Sequence, residues 1–200
     1  MTEGDPSVKY NEFYLTLHNM FVLIAGLPGT GKTFLAKNLL SSFFSGFIYL
    51  STDEVRRLYF GLSEHQYMDF NQKIYSQDKR DIVYNVINLM VDILLAQGFS
   101  VVVEGTFYRQ EKREKLLDIC NRLSHQYIII KTIFPDELME ARLQNRERSD
   151  NNVSDARYQI YLALKERFET IVQPHLIIDT QQSITSCIEE VKKYYDEIPS

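Results

Sequence analysis

Gly26, Gly29, Gly31, Lys32 and Thr33 fall in the order G-x-x-x-x-G-K-T, and each residue type at that spacing has a use against a chain of phosphates. Glycines let backbone N–H groups turn inward around phosphate oxygens without a Cβ clash. The start of a following helix adds partial positive charge, the lysine ammonium reaches the β and γ phosphates, and the threonine hydroxyl offers a hard oxygen to Mg²⁺. Gly26, Pro28, Gly29, Thr30, Gly31, Lys32, Thr33 and Phe34 are therefore expected around the phosphates of ATP, with Lys32 acting in catalysis and Thr33 on the metal.

Two further places carry carboxylates where ligands would meet them. Ser51-Thr52-Asp53-Glu54-Val55-Arg56-Arg57 follows an apolar run. If a helix starts there, Asp53 and Arg56 stand one turn apart, so that a carboxylate could orient an acceptor hydroxyl while a guanidinium grips a phosphate. The plain alternative is that Asp53 or Thr52 caps the helix and Arg56 is a solvated partner. Val103-Glu104-Gly105-Thr106-Phe107 ends a valine run, where a carboxylate has little reason to stand unless it meets a metal or a donor. Glu104 is the candidate to hold a Mg²⁺-bound water, with pairing to the long helix that begins near Tyr75 as the structural alternative. Arg142 and Arg146 are four apart on a helix beginning near Pro135, with Arg148 just beyond. A lid carrying them onto ATP would stabilise charge on the moving phosphoryl group and exclude water. An exposed face neutralised by Glu140, Glu147 and Asp150 would use the same residues without function.

These groups need elements to hold them. Met20 to Ala25 is a continuous apolar run suited to a strand buried on both faces. Phe47 to Leu50, Phe99 to Val103, Tyr127 to Phe134 and Leu176 to Ile178 read as four more strands, and helical patterns separate them all. The helix after the glycine loop runs from Lys32 to about Phe44, with Gly46 as its stop. The longest helix runs from about Tyr75 to Gln97, with Ile82, Val83, Val86, Ile87, Met90, Ile93 and Leu94 on one broad stripe. Alternation of this kind predicts an α/β fold, a three-layer α/β/α sandwich on a mainly parallel five-stranded sheet. Phe13, Leu15 and Leu17 alternate with polar neighbours and could form an edge strand. Gly61 to Gln72 reads as an inserted loop or short helix on the acceptor side, and Arg146 to Ser154 as a mobile loop.

With 200 residues, 44% of them apolar, the chain is expected to form one domain over 1–200, with 1–19 as an N-terminal extension and a lid over about 142–156. A net charge of −5 argues against bulk electrostatic coating of nucleic acid or membrane. The two cysteines, Cys120 and Cys187, lie in no metal or redox spacing, and the four histidines are scattered. No apolar stretch approaches membrane-spanning length, so a soluble, cytoplasmic protein with no membrane partner is expected.

Together the marks from Phe21 to Thr180 resemble the AAA_33-type P-loop kinases, relatives of polynucleotide kinase, zeta toxins and seryl-tRNA kinases. The resemblance rests on Gly26 to Thr33, Ser51 to Arg56, Val103 to Phe107 with Arg113 and Glu114, Arg142-Leu143 through Arg146, Val153 to Ala156, Arg167 to Glu169, and the late strand before Asp179. It implies phosphoryl transfer from ATP to a hydroxyl-bearing acceptor, a small molecule or a nucleic-acid end. Asp53 would activate that acceptor, Arg56 would contact phosphate, and Arg142 or Arg146 would be the lid arginine. One departure stands out: the family carries an Asp-led motif where this chain has Glu104-Gly105, and the extra methylene moves the carboxylate by about 1.5 Å. Two other readings stay open, an ATP-hydrolysing switch and an ATP binder that transfers nothing.

Overall fold

The apolar run from Met20 forms β1 (Met20–Gly26), buried at all seven positions because it lies in the middle of the sheet. The computed structural model describes residues 20–61, 76–145 and 154–198. After β1 come α1 (Lys32–Ser42), β2 (Ile48–Ser51), α2 (Thr52–Tyr59), α3 (Gln77–Ala96), β3 (Val101–Gly105) and α4 (Gln110–Arg122). Then follow β4 (Gln126–Ile133), α5 (Asp136–Asn145), α6 (Ser154–Lys165), β5 (Leu176–Asp179) and α7 (Ile184–Asp196). The expected edge strand at Phe13 to Leu17, nearly all of the expected inserted loop, and the loop from Arg146 lie outside the described residues.

The sheet order is β2-β3-β1-β4-β5, and every pairing is parallel. Side chains of successive strand residues point to opposite faces, and β1 divides its residues accordingly. Phe21, Leu23 and Ala25 join Val101 and Val103 against Val83, Ile87 and Val91 of α3 and Leu116 of α4. Met20, Val22 and Ile24 join Val102 against Leu35 and Leu39 of α1 and Val191 of α7. The three layers expected from the alternation are thus present. The outgoing connections of β1 and β4 diverge towards opposite edges of the sheet, which opens a crevice above their carboxyl ends, where α/β folds bind ligands.

The sequence placed the apolar stripe of α3 slightly wrongly. Val83, Tyr84, Ile87, Val91 and Leu95 are buried and Val86, Met90 and Leu94 pack at the margin of the same core, whereas Ile93 is 55% exposed. Cys120 and Cys187 are buried free thiols in α4 and α7. Among the described residues no helix is long and apolar enough to cross a membrane.

Candidate functional site

The glycine loop sits between β1 and α1, at the head of that crevice. Gly31 is the N-cap of α1 in the left-handed region, no side chain caps the helix, and its first turn holds no acidic residue. The first amides of α1 are therefore left to an anion, and no nearby carboxylate in that turn competes with it. Lys32 Nζ donates to Leu27 O across the loop at 2.9 Å. Phe34, one position after Thr33, is 57% exposed on the outer side of α1.

The loop is held by residues distant in sequence. Thr30 Oγ1 lies 2.7 Å from Thr132 Oγ1 at the end of β4, and Thr180 Oγ1 donates to Thr30 O at 2.9 Å from the end of β5. Gly29, with φ +85°, lies under α5 so closely that a Cβ would come 2.8 Å from Met139 Sδ and 2.9 Å from Leu143 Cδ2. Leu27 extends the same contact into the cluster of Met139, Leu143 and Tyr161 that joins α5 to α6. Thr132 and Thr180 were not singled out in the sequence. The signal that marked Glu104, a polar residue near the end of a buried strand, would have found Thr132, whereas Thr180 lies just past β5, a strand only partly buried, and carries no such signal.

Glu104 is the candidate metal ligand. It points to the α1 face of the sheet, opposite Ser51 in the β2 register, and it is almost fully buried. Its Oε1 accepts hydrogen bonds from Thr33 Oγ1 and Ser51 Oγ, both at 3.0 Å. Oε2 is buried and has no hydrogen-bond partner. A buried carboxylate oxygen left bare is costly, and a hard divalent cation is a fitting partner for it. The Thr33 hydroxyl spends its proton on Glu104, which leaves its oxygen lone pairs for the same cation. Thr33 and Glu104 thus fit Mg²⁺. Among the described residues no group of three or more His, Cys, Asp or Glu could hold a metal by itself, so such a cation would share its shell with water and phosphates. Tyr49, two residues before Ser51 on the same face, has a buried hydroxyl that also lacks a hydrogen-bond partner. Burial first, then the charges of Glu104 and Glu54, push its phenol pKa up.

Gly105 explains how α2 reaches this centre. A Cβ there would come 2.6 Å from Thr52 Oγ1 and Cγ2, so the glycine lets the start of α2 settle against the end of β3. Ser51 is the N-cap of α2 and its side chain makes no cap bond, because its hydroxyl is on Glu104. Asp53 does not cap either: its carboxylate accepts from Arg56 Nη1, with Asp53 69% exposed and Arg56 7%. The arginine is therefore a buried group that carries an exposed carboxylate at the start of α2, unlike the solvated partner that the sequence allowed. Tyr84 of α3 lies within the electrostatic reach of both, and its phenol, pushed up to about 12 mainly by burial, stays protonated.

Behind α2, Arg113 is fully buried. It donates to Phe107 O at 2.5 Å, to Glu169 O at 2.8 Å and to Thr170 O at 3.0 Å, as well as to Gln110 Oε1. It thereby ties the loop after β3 to the segment after α6 and holds Phe107 in its left-handed conformation, φ 43°. The Arg142 guanidinium, in the last turn of α5, lies 4.0 Å from the centre of the Phe134 ring. Arg146 lies outside the described residues.

The AAA_33 profile, an AAA domain, matches residues 21–171. The chain belongs to the AAA_33 family. No curated protein matches it in sequence. In three dimensions this AAA_33 domain is similar to a sugar kinase from Janibacter sp. HTCC2649, at 16% identity and a TM-score of 0.61, over 90% of this chain and 96% of that one. It is also similar to the APS kinase CysC of Mycobacterium tuberculosis in complex with AMPPNP and APS, at 18% identity and a TM-score of 0.61, over 90% and 99%. The fold of the AAA_33 domain is that of the P-loop kinases.

Proposed function

We propose that this AAA_33 domain is an ATP-dependent phosphotransferase that moves the γ-phosphate of ATP to a hydroxyl of a nucleic-acid end, a nucleotide or a small metabolite. The observation that carries the reading is the placement of Thr33, Ser51 and the bare oxygen of Glu104 around the uncapped start of α1. Thr33 and Glu104 would hold Mg²⁺, which when bound neutralises charge on the β and γ phosphates. The glycine-loop amides cradle the phosphates, and Lys32 exchanges its bond to Leu27 O for the β and γ oxygens. In the transfer the bond from the γ-phosphorus to the bridging oxygen breaks, a bond from the acceptor oxygen forms, and the acceptor proton passes to the Asp53 carboxylate. That carboxylate is exposed and paired with the buried Arg56, which supports its use in orienting the acceptor in line. Arg142, with Arg146, would close from the lid side onto the moving phosphoryl group.

The test is transfer of labelled γ-phosphate to a panel of hydroxyl compounds and 5′-hydroxyl oligonucleotides. Transfer to one class, falling at least about a hundredfold in Lys32→Ala through loss of a preorganised donor, is expected. Hydrolysis to inorganic phosphate with no labelled acceptor would overturn the reading in favour of a nucleotide-driven switch, and turnover unchanged by Lys32→Ala would remove the glycine loop from the chemistry.

A further inference from the structure

Two buried polar atoms beside the glycine loop, Glu104 Oε2 and the Tyr49 hydroxyl, make no hydrogen bond of good geometry, although Glu104 and Ser51 both stand near enough to the phenol to act on it as hydrogen-bond partners. They belong to one neighbourhood. Tyr49 pairs with Val102 and Ser51 with Glu104 in the parallel register of β2 and β3, so Tyr49 and Glu104 lie on the same face, one diagonal step apart, within reach of a long side chain. The charge of Glu104 acts on the phenol. The ring packs in the apolar layer beneath α1 and α7, which aligns the side chain without using its oxygen.

We propose that Tyr49 is a positioning residue for the metal side of the site, its phenol donating to Glu104 Oε2 and fixing the carboxylate that faces Thr33. The inference rests on the metal-nucleotide reading given above. A carboxylate offers about four lone-pair sites. Thr33 and Ser51 both use Oε1, so nothing else among the described hydrogen bonds sets the rotation of the group about its last bond. A donor on Oε2 from the β2 side sets that rotation and still leaves a lone pair for a cation. It also recovers the hydration that both buried atoms give up on folding. Partners that orient a metal ligand change metal affinity on the order of 10- to 100-fold when removed, though they never touch the metal.

The experiment is Mn²⁺ binding, read by electron paramagnetic resonance in the presence of a non-hydrolysable ATP analogue, for the wild type, Tyr49→Phe, Glu104→Gln and the double variant. Phenylalanine keeps the ring and its packing, so the fold is retained; an unchanged thermal midpoint checks this. Tyr49→Phe is expected to weaken Mn²⁺ about tenfold, leave affinity for the analogue in EDTA unchanged, and have less than about a twofold effect in the Glu104→Gln background. No weakening in Tyr49→Phe overturns the inference alone, as does the same factor in both backgrounds, since the phenol would then act independently of Glu104. Failure of the wild type to bind Mn²⁺ with the analogue overturns the metal-nucleotide reading, and this inference falls with it.

Discussion

Replacing Glu104 by Gln changes one charge and almost nothing else, which makes it a sharp probe of the site. The amide oxygen can stand where Oε1 accepts from Thr33 and Ser51 at 3.0 Å each, and the amide nitrogen takes the place of Oε2, from which it can donate to the neighbouring Tyr49 hydroxyl oxygen. The fold is therefore expected to keep its thermal midpoint. What is lost is attraction for a divalent cation. Two unit charges at 4 Å interact by about 4 kcal/mol at an effective dielectric of 20, and a double charge doubles that, but most of it is cancelled by hydration given up on both sides. The surviving effect should match other changes at the edge of a metal shell, about 10- to 100-fold in affinity, or roughly 1.4 to 2.8 kcal/mol. Without metal the sign reverses, because a carboxylate near a triphosphate repels it. Calorimetric titration should thus show Mg²⁺·ATP binding weakened by that factor in Glu104→Gln, and ATP binding in EDTA unchanged or slightly tighter. Equal weakening in both buffers, or none in either, would refute the assignment of Glu104 to the cation.

Asp53→Asn should bind Mg²⁺·ATP nearly as the wild type does and lose about 10² to 10⁴ in transfer to the acceptor, with ATP hydrolysis less affected; joint loss of ATP binding and thermal stability would make Asp53 structural. Arg142→Ala and Arg146→Ala should lower the rate of transfer more than the ground-state affinity for ATP, which single-turnover measurements against equilibrium titration can separate, and equal small effects on both would return these arginines to the solvated face. Gly29→Ala must adopt φ +85° with its Cβ 2.8 Å from Met139 Sδ, at about 1 to 2 kcal/mol for the backbone alone, so ATP affinity should drop about 5- to 30-fold. Adding Leu143→Ala should return part of it, and no difference between the single and double variants would show that the contact with α5 is irrelevant to the loop.

Much of this site could be read from one dimension because its chemistry is local. Gly26 to Thr33 combine a strand end, a turn and a helix start within a few residues, and Glu104 was visible as a charge closing a valine run. The partners that finish the site come from far away: Thr132 reaches Thr30 across 102 positions and Thr180 across 150. No spacing rule spans such distances, since the parallel sheet, not the chain, brings strand ends together. Asp53 and Arg56 were found as a pair, but which of the two would be buried was not visible. That depends on Gly105 admitting Thr52 to the end of β3, a close approach that a string of letters does not display. The exposed side of Ile93 escaped for a related reason, because periodicity gives the face of a helix but not how narrow a strip the sheet covers.

Leu27 and Gly29 belong to the glycine loop, yet the side chains around them are Met139, Leu143 and Tyr161 of α5 and α6. On the proposed reading, the seating of phosphates and the docking of α5 share one contact surface, and linkage would make their coupling reciprocal. Whatever factor a bound nucleotide lends to the docked position of α5, the docked helix lends back to the nucleotide. The pocket's affinity is in this sense written partly in residues that touch no ligand, and Met139 and Leu143 are places where evolution could retune nucleotide residence without altering a single atom of the glycine loop.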